Sequence, residues 1–243
     1  MAGNTAVFRL KNWFDPLADL LHLIFPRTCV VCSQELALIE KGCCSICLEL
    51  LPYTHFEKME EDSPLDKLFW GRVPIERTFS LLHYEKESSV QEILYRIKYG
   101  NDHKLAIRMG QLMAQRIKGT GILDDVDALL PVPVHHQKRF IRGYNQSEML
   151  AEGLSNLFNL PIERELVKKS KHTGSQTKKN RFLRWDNVVE NFIVQGAPQE
   201  KYKHFAIVDD VITTGSTIEA MIATLKQKYP ELRFSIISLA VTK

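Results

Sequence analysis

Outside residues 29–47 the chain has no cysteine. That confines any disulfide, metal or thiol chemistry to one short segment. Long apolar runs are lacking too. The nearest approach, Trp13 to Phe25, carries Asp15, Asp19 and His22 and is too short to cross a bilayer, so no membrane span is expected. No apolar run with a small-residue cleavage site stands near Met1, and a cytoplasmic location is expected. Net charge is small, +3 over 243 residues, which excludes a global attraction to nucleic acid. Internal repeats and low-complexity tracts are absent. What remains, at 44% hydrophobic and 25% charged residues, is an ordinary globular composition with enough chain for a substantial core.

The five cysteines follow the pattern Cys29-x₂-Cys32, eleven residues, Cys44-x₂-Cys47, with Cys43 beside the second pair. Two such knuckles give four soft ligands for a tetrahedral Zn²⁺, and the residues between them suffice for a small hairpin that brings them together. Disulfides are disfavoured where no secretion signal stands. Cys29, Cys32, Cys44 and Cys47 are the expected ligands of a structural zinc, and Cys43 could replace Cys44. Such an ion would supply folding energy to a segment too small for its own core. Asp15-Pro16 upstream reads as an N-cap and first helical position of a short amphipathic helix.

Near the other end stands Phe205-Ala206-Ile207-Val208-Asp209-Asp210-Val211-Ile212-Thr213-Thr214-Gly215-Ser216-Thr217. Phe205 to Val208 reads as a strand buried on both faces. Two carboxylates at its carboxyl end are costly in a dry core but suited to the crevice where open α/β sheets hold ligands. They accept hydrogen bonds from sugar hydroxyls and can hold Mg²⁺ directly or through water. Thr213, Thr214, Gly215, Ser216 and Thr217 supply small donors and a tight turn. The helix expected over Ile218 to Tyr229 presents free N–H groups to an anion. Together these parts describe a site for a phosphorylated ribose.

Between the two motifs, strand and helix alternate. A strand is expected over Thr78 to Tyr84, helices over Val90 to Tyr99 and Leu105 to Ile117, and a strand over Ala128 to Val134. A basic loop, His135 to Gln146, precedes a helix from Ser147 to Phe158. Later strands are expected over Asn191 to Gln195 and Arg233 to Val241. This order implies a parallel or mixed sheet flanked by helices. A domain boundary near residue 75 separates residues 1–75, with the zinc knuckles, from an α/β domain over 76–243. In the basic loop, Lys138, Arg139 and Arg142 are suited to pairing with phosphate. The adjacent His135 and His136 are a poor pair for one metal ion. Residues 168–184 hold seven Lys or Arg and no acid, the chemistry of a lid over an anion or of a nucleic-acid contact.

The thirteen-residue string resembles the phosphoribosyl pyrophosphate (PRPP) signature of type I phosphoribosyltransferases. That resemblance implies that Asp209 and Asp210 hold the ribose hydroxyls and that Thr213 to Thr217 hold the 5-phosphate. The cysteine knuckles, then Pro131-Val132-Pro133, then Arg142-Gly143-Tyr144-Asn145-Gln146, then the acid pair together resemble the ComF family, linked to DNA uptake in bacterial competence. The resemblance spans Cys29 to about Val241. It implies a type I phosphoribosyltransferase-like fold, Mg²⁺ with PRPP, and a pyrophosphate loop over Pro133 to Arg139. It also implies a catalytic loop over Lys168 to Asn187, though no motif there fixes a catalytic residue. The activity implied is a PRPP-dependent pentosyl transfer. The alternative is a non-catalytic module that binds single-stranded DNA or a competence helicase, with Phe140, Tyr144, Phe182 and Trp185 as stacking rings.

Overall fold

The computed structural model describes residues 26–170 and 192–242. The helix expected after Asp15, most of the 168–184 run, Phe182 among it, and Trp185 lie outside the described residues.

Four strands form one fully parallel sheet in the order β1-β6-β5-β2: β1 is Thr78–Tyr84, β2 Ala128–Pro131, β5 His204–Ile212 and β6 Arg233–Thr242. A short antiparallel pair, β3 (Val167–Lys169) and β4 (Phe192–Val194), stands apart from it. Helices α1 (Ser45–Glu49) and α2 (Pro64–Phe69) precede β1. Helices α3 (Ser89–Tyr99) and α4 (His103–Ile117) link β1 to β2. Helices α5 (His136–Arg142) and α6 (Gln146–Phe158) follow β2, and α7 (Ser216–Lys228) links β5 to β6.

The apolar run of β5 is divided between two cores, as a strand covered on both faces requires. Ala206 and Val208 pack with the buried stripes of α3, α4 and α6. Phe205 and Ile207 pack with Ile218, Met221, Ile222 and Leu225 of α7, and with Leu65 and Phe69 of α2. The first core also takes Cys29, Leu36, Cys43 and Leu51, so the cysteine segment shares its interior with α3 and α4.

Local chemistry sets the element ends. Ser88, Asp102 and Asn145 cap α3, α4 and α6 with side-chain oxygens. β2 stops at Pro131, shorter than the strand expected over Ala128 to Val134. Neither Pro131 nor Pro133 has an N–H to extend a ladder, and Val132 gives the last bond, to the Val208 carbonyl at 2.9 Å. The loop expected over His135 to Gln146 is corrected: it contains α5, capped by the His135 ring and stopped by Gly143 at φ +80°. α5 buries none of its residues, so it shows no apolar stripe to read.

Candidate functional site

β5 runs on through the acid pair to Ile212, where its end had been expected at Val208. Asp209 and Asp210 are thus held in the strand, each half-buried, at its carboxyl-terminal end. Strict alternation would send them to opposite faces, yet both are met by groups from the α3 and α6 side. The Ser147 hydroxyl, on the first turn of α6, donates to Asp209 Oδ1 at 3.2 Å. Lys98, on the last turn of α3, places Nζ 3.2 Å from Asp210 Oδ2. The Asp210 N–H also donates to Asp209 Oδ1, at 2.8 Å.

Burial lifts the Asp209 carboxyl to about 7, and the neighbouring charge of Asp210 adds to the rise. The Asp210 N–H, Lys98 and the Ser147 hydroxyl pull the other way without cancelling it. A pair in which one acid is easily protonated can both accept from and donate to the vicinal hydroxyls of a sugar. The same two carboxylates are suited to a divalent cation, whose charge would favour their ionised forms.

Thr213 to Thr217 form the turn that follows. Gly215 stands at φ +76° in the N-cap position of α7, and no side chain caps the helix there. The Ser216 N–H donates to the Thr214 hydroxyl at 3.4 Å, the next first-turn amides are left for an anion, and the Thr214 and Ser216 hydroxyls stand 2.8 Å apart beside them. A cavity of about 30 Å³ lies among Asp209, Thr213, Thr217 and their neighbours. Residues ahead of β1 brace this turn. A Cβ on Gly215 would lie 2.7 Å from the Phe69 ring, so α2 packs directly against the turn. Arg72 donates to the Thr214 carbonyl at 2.7 Å and pairs with Glu219 on α7.

The basic candidates are distributed unevenly. Arg142 donates to the Gln146 side-chain oxygen at 2.9 Å and lies over the Tyr99 ring, in the same pocket as Lys98. Arg139 is paired with Glu148, Nη1 to Oε1 3.4 Å. Lys138 is exposed and makes no contact with the acid pair. Tyr144 is corrected as a stacking ring: it is buried, and its hydroxyl donates to the Ile97 carbonyl. Its neighbour Asn145 bonds the Val132 carbonyl at 3.0 Å. The Tyr144-Asn145-Gln146-Ser147 stretch therefore ties α3, β2 and α6 around the acid pair.

Lys98, Ser147 and Arg72 were not read from the sequence as site residues. Each is an ordinary helix-end or loop residue whose role appears only when the chain brings distant segments together. An apolar pocket of about 390 Å³ also adjoins the turn, between α2 and the ends of β1 and β6, with Phe56, Leu68, His83, Thr213 and Thr242 in its wall.

The Sγ atoms of Cys29, Cys32, Cys44 and Cys47 lie within 4.8 Å of one another and could hold a metal ion such as zinc. Cys32 and Cys44 are 3.9 Å apart, close to the edge of about 3.8 Å that a tetrahedron of thiolates about 2.3 Å from Zn²⁺ would have. Burial raises the Cys29 thiol, but donors from Cys32, Cys44 and Val31 outweigh it and hold the group near 6, whereas burial and hydrogen bonds to the neighbouring cysteines push the Cys47 thiol up. Cys43 is buried outside this set, and burial pushes its thiol up to about 12. The sequence left Cys43 and Cys44 open; the geometry gathers Cys44.

Residues 145–242 match the family model "Phosphoribosyl transferase domain". Over 219 residues, 84% of this chain and 92% of the relative, the chain is 29% identical to Competence protein F of Haemophilus influenzae. The chain is thus similar to a competence protein over most of its length, in line with the resemblance to the ComF family. Another relative, DNA utilization protein YhgH of Escherichia coli K12, is 27% identical over 206 residues, covering 81% of this chain and 89% of its own. The fold is the type I phosphoribosyltransferase-like one expected from the sequence, a parallel sheet flanked by helices with a cysteine cluster ahead of it. A solved Helicobacter pylori Xanthine-Guanine-Hypoxanthine Phosphoribosyltransferase is similar at TM-score 0.36 and 18% identity, over 58% of this chain and 82% of that one. No helix among the described residues is long and apolar enough to cross a membrane.

Proposed function

We propose that this chain binds PRPP with Mg²⁺ through Asp209, Asp210 and the turn Thr213 to Thr217, and that it acts in the cytoplasm in DNA uptake. The acid pair would take the ribose hydroxyls, and the amides after Gly215 would take the 5-phosphate. Mg²⁺, when bound, neutralises charge on the pyrophosphate. The observation that carries this reading is the uncapped start of α7 directly after two carboxylates held in place by Lys98 and Ser147. Free amides at a helix start suit an anion, and two adjacent half-buried carboxylates are costly without a ligand or partner to meet them.

The chemistry this site suits is displacement of pyrophosphate from the sugar carbon by a nitrogen nucleophile. The protein's part is to position the sugar and stabilise the leaving group. Arg142 and Lys98 stand where leaving-group charge could be met. Incubation with PRPP, Mg²⁺ and a panel of purine and pyrimidine bases tests this, with pyrophosphate release as the readout. Release with one base, abolished by Asp209→Asn with Asp210→Asn, is expected. Binding of PRPP without release for any base would reduce the site to a ligand-binding module. In either case Cys29, Cys32, Cys44 and Cys47 are read as the ligands of a structural zinc.

A further inference from the structure

An open cleft of about 640 Å³ lies between the cysteine segment and α4. The cysteine segment lends it Arg27 and Lys41, the end of α3 lends Arg96, and the first turns of α4 lend Lys104 and Arg108. Gly42 and Leu105 line it from opposite sides, and a Cβ on Gly42 would lie 2.7 Å from Leu105. The two sides are therefore in direct contact, and core packing fixes their spacing.

Five cations share this cleft with two acids, and both acids are engaged. Glu40 accepts from the Ser45 and Ala37 amides at 2.7 and 2.9 Å, and these bonds hold its carboxyl below the usual range. Asp102 caps α4 by accepting from the Leu105 amide and lies 3.7 Å from Arg96. Among the described residues, Lys41, Lys104 and Arg108 have no acidic partner at ion-pair distance. A concave surface of one sign concentrates its field and draws a counter-charge into it. A single carboxylate or phosphate would leave most of these cations unmet. The better match is a compact anion that packs several charges into a short chain, and a cleft of this size has room for a whole small molecule.

We infer that this cleft binds a linear di- or triphosphate, either free or as the tail of a nucleotide. The arginines grip phosphate oxygens in pairs, and the lysines meet them as point charges. The cleft shares no residue with the acid pair or the turn Thr213 to Thr217. Arg96 lines it, whereas Lys98, two positions on and so on another side of α3, meets Asp210. Its ligand is thus separate from the PRPP proposed for the acid pair, and the inference holds whether or not PRPP binds.

The test is titration calorimetry of the full, zinc-loaded chain with inorganic tripolyphosphate, without Mg²⁺ and at constant ionic strength. One tripolyphosphate per chain is expected. Lys104→Gln with Arg108→Gln should weaken it about tenfold or more, and Lys104→Arg with Arg108→Lys should bind within a few-fold of the parent. These variants keep all four cysteines, so heat from zinc capture would persist in them, and equal melting separates lost contacts from lost fold. A parallel titration with ATP distinguishes the two sources: tighter binding than tripolyphosphate assigns a nucleotide, equal or weaker binding a free chain, and both support the site. The inference is overturned if the parent does not bind tripolyphosphate, or if the Gln pair binds it like the parent. It is equally overturned if inorganic phosphate binds as tightly, which marks a general counterion surface. Loss of tripolyphosphate binding in Asp209→Asn with Asp210→Asn would also overturn it, by placing the ligand at the acid pair. PRPP binding should be unchanged in the Gln pair, so failure of one site is distinguishable from failure of the other.

Discussion

At Asp209 a carboxyl lifted to about 7 has a direct consequence for stability. In the unfolded chain the group ionises near 4, whereas the folded protein holds its proton to about 7. Between those values the unfolded chain binds fewer protons, so this residue's contribution is fully present below about 4 and is lost as pH rises to about 7. Asp209→Asn should therefore raise the melting temperature of the ligand-free protein at pH 8 and leave it nearly unchanged at pH 4. The shift expected is about 2–4 °C per kcal/mol recovered. Buried His204 acts with the opposite sign. Its pKa is lowered by burial, opposed by the charge of Asp125, so stability falls as pH drops below about 6.5. The difference between parent and variant isolates Asp209. Lys98→Met should cost about 1–3 kcal/mol in denaturant melts, because it leaves half-buried Asp210 without its cation. At this scale the sequence was legible where chemistry is adjacent in the chain, as in Asp209, Asp210 and the turn to Thr217. Lys98 and Arg72 were not legible, because each meets its partner only through the fold.

Among the elements, α4 and α6 make the tightest contact, and it rests on two glycines. A Cβ on Gly153 would fall 2.3 Å from the Ile107 carbonyl, and one on Gly110 would fall 2.2 Å from the Leu150 carbonyl. Gly153→Ala must push α6 away from α4, at a cost of about 1–3 kcal/mol that melting would record. Because α6 carries Ser147 to Asp209 and Asn145 to the Val132 carbonyl, ligand binding should weaken along with stability. Helices α3, α4, α6 and α7 were legible from their apolar stripes, and β1, β5 and β6 from their unbroken apolar runs. Helix α5 was not, since all of its residues face outward, and β3 is too short for its alternation to stand out.

For the molecule as a whole, the cysteine segment is built into the first core. A Cβ on Gly42 would lie 2.7 Å from Leu105 of α4, and Cys29, Leu36 and Cys43 are buried with α3 and α4. Removing the metal with a chelator should therefore lower the main melting transition, and not merely fray the segment. A melting curve unchanged by chelation would contradict the zinc assignment. The residues ahead of β1 also reach the other end of the molecule, where Phe69 and Arg72 support the turn at Gly215. That reach could not be read from a sequence in which a composition change near residue 75 looks like a border.

The central claim is that the acid pair and the turn after it hold PRPP. Titration calorimetry of PRPP with Mg²⁺ into the full chain tests it most directly. The account predicts saturable binding at one site per chain, lost when Asp209→Asn and Asp210→Asn are combined. Absence of heat in the parent, or equal binding by the Asn double variant, would contradict it.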